Sequence, residues 1–182
     1  GNTDAWKLKG DLLLYTKNKP DDALAAYRKA LEVNAKYGPA HVAVLSLLMQ
    51  QGKLDEVAQQ LEQLKTFAAN NPQTKYFEAQ LAYQKKDFKL ARELVQPLLQ
   101  QTPNNAPLLQ LAGAVELQLG AVAQAEVYLS KATQQAPQLA PARRLLIATY
   151  LRSGQSAKAL TALNAATGKD GIEPALYSLA GE

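Results

Sequence analysis

Residues 106–139 read APLLQLAGAVELQLGAVAQAEVYLSKATQQAPQL. A glycine, Gly120, divides this stretch near its middle. After it, Ala125, Leu129 and Ala132 follow one another at intervals of four and three residues, a spacing that places side chains on one face of a helix. The stretch therefore predicts two short helices joined by a tight turn.

The same pattern recurs every 34 residues along the chain. Three sets of small or apolar residues keep that interval: Ala23, Val57, Ala91, Ala125 and Ala159; Tyr27, Leu61, Val95, Leu129 and Leu163; and Ala30, Leu64, Leu98, Ala132 and Ala166. A period of this length is typical of repeat architectures, in which neighbouring helix pairs share a core that no pair could bury alone. The sequence therefore predicts an all-α solenoid.

Proline and glycine mark the unit boundaries and the turns. Each unit from the second onward has a proline near the start of its first helix, where the missing amide is tolerated: Pro39, Pro72, Pro107, Pro141 and Pro174. The turn inside a unit is expected at Gly52, Gly120 and Gly154, with Lys86 in that place in the third unit. We expect a longer turn in the first unit around Lys17–Pro20.

The predicted units form one array over residues 1–182, which we expect to be a fragment of a longer array. The units are about 3–37, 38–71, 72–105, 106–139 and 140–173, with a partial sixth at 174–182. The predicted helices are 3–16, 21–34, 39–51, 55–69, 73–85, 89–101, 107–119, 123–135, 141–153, 157–167 and 174–182. Pro97 lies inside one of them, and we expect a local kink there rather than two helices.

These residues resemble the tetratricopeptide repeat family. The fourth unit matches its pattern at Leu109, Gly113, Gly120, Ala125, Leu129, Ala132 and Pro137, and the first at Trp6, Gly10, Ala23, Tyr27, Ala30 and Leu31. Glu116 departs from the pattern, because an aromatic residue is usual at its position. The resemblance covers essentially all 182 residues. It implies a right-handed solenoid of five helix pairs plus the first helix of a partial sixth pair. It also implies that the protein serves to hold other molecules together.

A narrower resemblance concerns Leu81–Leu94, Ala114–Ala132 and Ala142–Leu160. These stretches resemble the tetratricopeptide lipoproteins of PEP-CTERM systems, which accompany exopolysaccharide production and protein sorting in Gram-negative bacteria. The resemblance implies a periplasmic parent protein with a lipid anchor, for which the outer membrane is a candidate site of attachment. This sequence contains no cysteine that would carry such an anchor.

Composition argues against several other classes of protein. The 20 basic and 16 acidic side chains give a net charge of +4, spread too evenly to predict a nucleic-acid-binding surface. No apolar run approaches the roughly 20 residues of a membrane-spanning helix. Without cysteine, a thiolate metal site is excluded.

No residue pattern predicts catalysis, a cofactor or a metal. His41, the single histidine, falls where a bulky packing residue belongs. Asp21 and Asp22 precede a predicted helix, so we expect them to cap it rather than to form an acid–base pair. The stretch Ser153–Ser156 lacks both a nearby histidine and the strand–turn–helix context of a nucleophile elbow. We do not expect an enzyme.

The predicted function therefore lies on a surface, and we expect the first helix of each unit to line a concave inner face. The candidate partner-binding residues on that face are Tyr15, Met49, Tyr76, Gln80, Tyr83, Gln84, Gln110, Gln118, Arg144 and Arg152. Tyr76, Gln80 and Tyr83 have the spacing of a continuous strip, and Arg144 is expected further along the same face. Tyrosine and glutamine suit an extended peptide or a sugar chain. The sequence thus predicts a protein-interaction scaffold, and the alternative is a module that binds exopolysaccharide directly.

Overall fold

The computed structural model describes residues 2–170 of the chain, and all secondary structure within them is helical. Ten helices follow one another in this part of the chain: α1 Thr3–Tyr15, α2 Pro20–Val33, α3 Gly38–Gln50, α4 Leu54–Ala68, α5 Pro72–Gln84, α6 Phe88–Gln101, α7 Ala106–Gln118, α8 Val122–Gln135, α9 Ala140–Arg152 and α10 Ser156–Asp170. The all-α prediction is confirmed, and each of the ten predicted helices between residues 3 and 167 has a counterpart within three residues at either end. The predicted helix at 174–182 lies outside the described residues.

Local chemistry explains where the helices begin. A proline occupies one of the first two positions of α3, α5, α7 and α9, as the sequence predicts. Asn71 and Asn105 precede two of these helices, and their side chains accept hydrogen bonds from the amides of Gln73 and Leu108. These bonds satisfy amides that have no partner within the helix.

The expectation that Asp21 and Asp22 cap α2 is wrong. The helix begins one residue earlier than predicted, at Pro20, so both carboxylates lie inside its first turn. Negative charge there interacts favourably with the positive end of the helix dipole. Asp21 Oδ1 instead accepts a hydrogen bond of 3.2 Å from Gln51 Nε2. Asp22 lies 3.7 Å from the Lys19 ammonium.

The turns inside the second to fifth repeats have a left-handed residue at the predicted turn positions. Gly52, Gly120 and Gly154 have φ values of 67°, 77° and 73°, and Lys86 has 64°. Glycine adopts this conformation without steric cost, so it closes a short turn readily. In the turn at Gly120 the amide of Ala121 reaches back to the carbonyl of Glu116 over 2.9 Å.

The first turn is longer, as predicted. It runs from Thr16 to Lys19, and its left-handed residue is Asn18, with φ of 48°. The amide of Lys19 bonds to the carbonyl of Leu13 over 2.9 Å, six residues back rather than five. Further along, α6 continues through Pro97 as one helix. The prediction of a single helix there is confirmed, and the kink stays a prediction.

The repeats group into two compact structural units, divided between Lys85 and Lys86, and each structural unit holds several 34-residue repeats. The terms first unit and second unit refer to these two structural units below. In the first unit, α1 to α5 pack in chain order, each against the next. Its core contains Ala23, Tyr27, Val57, Leu61 and Phe77. The predicted repeat positions of the second helices are therefore buried, which confirms the helical faces read from the period.

In the second unit, α6 to α10 also pack in chain order, and α7 additionally contacts α9. One core cluster joins Leu117, Ala125, Leu129 and Leu146, and Ala125 is fully buried. A Cβ placed on Gly113 would lie 2.8 Å from Cδ2 of Leu129, closer than real side chains approach. The small residue is therefore required by helix packing.

Candidate interaction surfaces

A depression of about 170 Å³ lies between α1 and α3 on the face where the sequence predicts binding. We call it the inner groove, and its lining residues are Lys7, Asp11, Leu14, Tyr15, Tyr27, Pro39, Val42, Ala43, Ser46, Leu47 and Gln50. Tyr15, one of the predicted binding residues, stands at its edge and is 80% exposed. The structure thus brings the first helices of consecutive repeats together around one concavity.

A hydrogen-bonded network forms one side of the inner groove. Asp11 accepts a hydrogen bond of 2.9 Å from the Tyr27 hydroxyl and pairs with the Lys7 ammonium at 2.6 Å. Burial raises the pKa of Tyr27 above its usual range, and the hydrogen bond to Asp11 raises it further. Tyr27 therefore stays protonated and donates to Asp11 throughout the physiological range. Apolar side chains, Leu14 and Val42, line the groove beside this network.

The predicted strip on α5 forms in part. Gln80 Nε2 donates a hydrogen bond of 3.2 Å to the Tyr76 hydroxyl, so these two side chains are adjacent as predicted. Tyr76 is half-buried, its ring lies 6.2 Å from that of Phe77, and burial raises its pKa. Tyr83 is also half-buried, whereas Gln84 is exposed.

Met49 does not lie open on the inner face, and its prediction as a partner-binding residue is wrong in this respect. It is 9% exposed and belongs to the core cluster with Leu45 and Leu48. A flexible thioether fills such a site well, and burying it is favourable.

In the second unit the predicted residues have differing exposure. Gln110 and Arg144 are half-buried, whereas Gln118 and Arg152 are exposed. Arg152 Nη1 donates a hydrogen bond of 3.2 Å to the carbonyl of Leu117, which ties α9 to α7. Arg152 therefore contributes to packing as well as to the surface.

A second depression, of about 580 Å³, lies between α2 and α4, and the sequence did not predict it. His41 and Gln60 line it. His41 is buried, as predicted, with its ring 5.4 Å from that of Phe67. Its Nδ1 lies 2.6 Å from Gln60 Nε2, and its Nε2 lies 2.8 Å from the carbonyl of Ala35. Because an amide nitrogen only donates, Nδ1 accepts and Nε2 carries the proton.

The sequence also did not predict an ion pair whose acidic partner is buried. Glu116 is 4% exposed, and its Oε1 accepts a hydrogen bond of 2.9 Å from Arg92 Nε. Arg92 Nη2 bonds to Glu116 Oε2 as well, so the pairing is bidentate. The hydrogen bond to Glu116 raises the pKa of Arg92. The sequence signal for this pair was the acidic Glu116 at a position where an aromatic residue is usual. Its basic partner, Arg92, directly follows the repeat residue Ala91.

Residues 2–170 offer neither a metal site nor a membrane span. No group of three or more His, Asp or Glu side chains among them is arranged to bind a metal ion. None of the helices in that range combines the length and the apolar character needed to cross a bilayer.

Comparison with protein families assigns the fold. Tetratricopeptide repeat models match residues 8–72 and 116–181, which together span more than half of the chain. Comparison with curated proteins gave no significant match. The helical hairpins and left-handed turns define a helical repeat protein. The chain belongs to the tetratricopeptide repeat family, whose members generally mediate protein–protein interactions and are generally not catalysts.

Solved structures share this fold at low sequence identity. TTC0263, a thermophilic TPR protein from Thermus thermophilus, is 19% identical with a TM-score of 0.81, over 98% of this chain and 97% of that chain. PilF from Pseudomonas aeruginosa is 17% identical with a TM-score of 0.77, over 97% and 80%. YrrB, described as a TPR protein with an unusual peptide-binding site, is 22% identical with a TM-score of 0.59, over 91% and 84%. At these identities the likeness concerns the fold alone.

Proposed function

We propose that the chain is a non-catalytic scaffold that binds an extended segment of a protein partner in the inner groove of its first unit. The observation that carries the proposal is the groove between α1 and α3, where hydrogen-bonding and apolar side chains line one depression. YrrB, a protein of this fold with a peptide-binding site, supports the same class of ligand.

The groove chemistry suits a peptide backbone together with one or two of its side chains. Ser46 and Gln50 offer hydrogen-bond donors and acceptors to a backbone that has no secondary-structure partner. Leu14 and Val42 offer apolar contact. Tyr15, largely exposed at the edge, adds a rigid amphipathic surface of the kind that anchors many interfaces.

Direct carbohydrate binding is the alternative, and the Tyr76–Gln80 pair favours it. An aromatic ring beside an amide offers stacking and hydrogen bonding to a sugar, and these two side chains are in contact. We place either activity, as a proposal, in a periplasmic exopolysaccharide or protein-sorting export system with a lipid-anchored parent protein. This setting rests on the resemblance of the repeats to lipoproteins of PEP-CTERM systems.

The test is selection of peptides from a displayed random library on the full chain, followed by affinity measurement with two variants, one in the inner groove and one on α5. Ser46→Arg fills the groove, and Tyr76→Ala with Tyr83→Ala removes the strip on α5. We expect Ser46→Arg to weaken the selected peptides by about 2 kcal/mol or more, because it occupies the groove, and the Tyr76 and Tyr83 variant to weaken those peptides that also extend along α5. Because Tyr76 is half-buried, helical content and Tm are measured beside affinity.

Gln59→Arg is the matched control, since Gln59 is exposed in the same unit but lines the depression between α2 and α4. Equal peptide affinity in Ser46→Arg and Gln59→Arg would place the site elsewhere. If no peptide is selected, and oligosaccharides perturb tyrosine fluorescence in the parent but not in the Tyr76 and Tyr83 variant, the carbohydrate alternative replaces the proposal.

A further inference from the structure

The depression between α2 and α4 has a neutral floor and a charged rim. Its volume of about 580 Å³ lies within the range of small-molecule sites. Three buried residues form the floor: His41, Leu48 and Gln60. The charged side chains that line the depression are open to solvent. A ligand that enters it therefore meets an uncharged surface at the bottom.

The hydrogen bonds of His41 fix the orientation of the Gln60 amide. The carbonyl of Ala35 can only accept, so the proton of His41 lies on Nε2, 2.8 Å from that oxygen. His41 Nδ1 therefore accepts, and Gln60 Nε2 donates to it over 2.6 Å. The same nitrogen donates to Gln63 Oε1 over 3.3 Å. Both amide hydrogens are thus engaged, and Gln60 Oε1 faces away from His41.

Gln60 Oε1 has no donor within residues 2–170. No group in that part of the chain donates a hydrogen bond to it, although Gln60 is only 8% exposed. The oxygen is not sealed off from solvent, since the fully enclosed unpaired side-chain atom among these residues is Gln51 Oε1. Leaving a buried acceptor unpaired is costly. A group that donates from within the depression would satisfy it.

Helix packing does not require a glutamine at this position. Gln60 comes three residues after Val57, and the equivalent residues of the other repeats are apolar or aromatic: Ala26, Leu94, Tyr128 and Ala162. Among the five repeats only the second places an amide there. Gln60 and its open acceptor are therefore particular to the depression and are not part of the packing that the repeats share.

The rim favours an uncharged ligand. Two cations and two carboxylates line it, so their formal charges cancel: Arg28, Lys36, Glu32 and Glu56. Arg28 pairs with Glu56 at 2.6 Å, and Glu32 pairs with Lys29 at 2.7 Å. A charged group placed on the floor would lose its hydration without gaining a counter-charge there. A neutral group loses much less.

Donors and acceptors lie side by side next to Gln60 on α4. The Thr66 hydroxyl donates to the carbonyl of Gln63 over 2.7 Å, so its oxygen is left as an acceptor. The amide nitrogen of Gln63 is a donor, because the bond from Gln60 uses only the amide oxygen. A hydroxyl both donates and accepts, so a ligand with several hydroxyls matches this mixture of groups. Leu31 and Leu48 offer apolar contact to the C–H groups of such a ligand.

We propose that the depression between α2 and α4 binds a neutral carbohydrate residue, one hydroxyl of which donates to Gln60 Oε1. The site is separate from the inner groove between α1 and α3 and from the Tyr76–Gln80 pair on α5. It is independent of the peptide proposed for the inner groove.

The test titrates the full chain with three neutral disaccharides, maltose, cellobiose and lactose, and follows the ring resonances of His41 by NMR. His41 is the only histidine, so its signals are unambiguous, and its ring lines the depression. We expect at least one disaccharide to shift these signals in a saturable way. The uronic acid matched to the tightest disaccharide should bind more weakly, because the floor supplies no counter-charge. Tighter binding of the acid would contradict a neutral ligand.

Gln59→Arg places a large side chain in the depression from an exposed position. We expect it to weaken the sugar about tenfold or more, because the site is occupied. Ser46→Arg in the inner groove is the matched control and should leave the affinity for sugar unchanged.

Gln60→Met removes the acceptor but keeps the length of the side chain. We expect the affinity for sugar to fall about three- to tenfold, the value of one neutral hydrogen bond. Monodeoxy analogues of the tightest disaccharide identify the hydroxyl concerned. The analogue that lacks it should bind the parent as weakly as the full sugar binds Gln60→Met, and it should lose nothing more in that variant.

Each of four results would overturn the proposal. A lack of response to all three disaccharides would leave water as the only partner of Gln60 Oε1. Equal affinity for sugar in Gln59→Arg and Ser46→Arg would exclude the depression. Equal weakening of every deoxy analogue by Gln60→Met would show a structural role for Gln60 alone. Loss of binding in Tyr76→Ala with Tyr83→Ala would place the sugar on α5. Peptide affinity enters none of these results, so the two proposals fail separately.

Discussion

Each of the two units contains a polar pair with a buried member, Gln60 or Glu116, at a position that is apolar in the other repeats, and the two pairs differ in charge. In the first unit His41 and Gln60 are both neutral and both buried, and they join α3 to α4. In the second unit Arg92 and Glu116 are charged and join α6 to α7, but only Glu116 is buried, since the Arg92 side chain is 42% exposed.

The difference shows what a helical repeat tolerates. A neutral pair can be buried completely, because its two members form a hydrogen bond with each other and no charge has to be removed from water. A charged pair keeps one partner near water, since full burial of both would cost more than their attraction returns. The repeat thus accepts polar residues at packing positions when a neighbouring helix supplies the partner.

Removing Arg92 should have the largest effect. Arg92→Leu leaves the Glu116 carboxylate buried without a counter-charge, and we expect the free energy of unfolding to fall by about 3 kcal/mol. Urea denaturation followed by circular dichroism measures this change. Adding Glu116→Leu should restore most of the lost stability, because an apolar residue suits the position.

A failure of that rescue would show that the ion pair contributes more than the removal of an unpaired charge. An Arg92→Leu variant with parental stability would mean that Glu116 is less enclosed than its 4% exposure indicates.

Removing Gln60 should cost less, because no charge is left behind. Gln60→Leu deprives His41 Nδ1 of its donor while keeping the volume of the side chain, and we expect a loss of about 2 kcal/mol. The same denaturation experiment applies, with His41→Phe added to Gln60→Leu as the compensating change. If Gln60→Leu destabilises as much as Arg92→Leu, charge does not distinguish the two pairs.

The fold could be predicted in detail, because each signal depends on local backbone structure. The 34-residue period predicts the buried helix faces, proline predicts the helix starts, and glycine predicts the turns. The turn at Asn18 is an example. The interval from Gly10 to Ala23 is one residue longer than that from Gly113 to Ala125, which predicts a longer turn, and the hydrogen bond from Lys19 to Leu13 shows it. Asp21 and Asp22 were misread because a shift of one residue at a helix start changes a cap into a first-turn residue.

The site was less predictable, because burial depends on neighbours that a period does not specify. Met49 and Tyr15 lie on consecutive first helices and both were predicted for the inner face, yet Met49 is in the core while Tyr15 is largely exposed. Glu116 was recognised as a departure from the pattern, but its partner Arg92 lies 24 residues earlier. Only the packing of α6 on α7 brings the two side chains together.

A surface contact on α8 should contribute less to stability than either polar pair, so it serves as a reference for both. Glu126 on α8 accepts hydrogen bonds of 2.8 Å from Gln155 Nε2 and 3.1 Å from Lys158 Nζ. These bonds, that from Gln155 foremost, lower the pKa of Glu126 from its ordinary value of 4.5. The folded chain therefore holds this proton less tightly than the unfolded chain, so the stabilisation is present above 4.5 and is lost as pH falls through the lowered pKa.

We expect Glu126→Gln to lower the free energy of unfolding by only about 0.5 kcal/mol at neutral pH, because the ion pair is open to solvent. The variant should also lose slightly less stability than the parent on acidification through this range. Urea midpoints at neutral pH and below pH 4.5 measure both changes, with Glu93→Gln as control because Glu93 is an exposed carboxylate of the same unit. A loss at neutral pH as large as that of Gln60→Leu would show that solvent exposure does not determine the order of the three contacts.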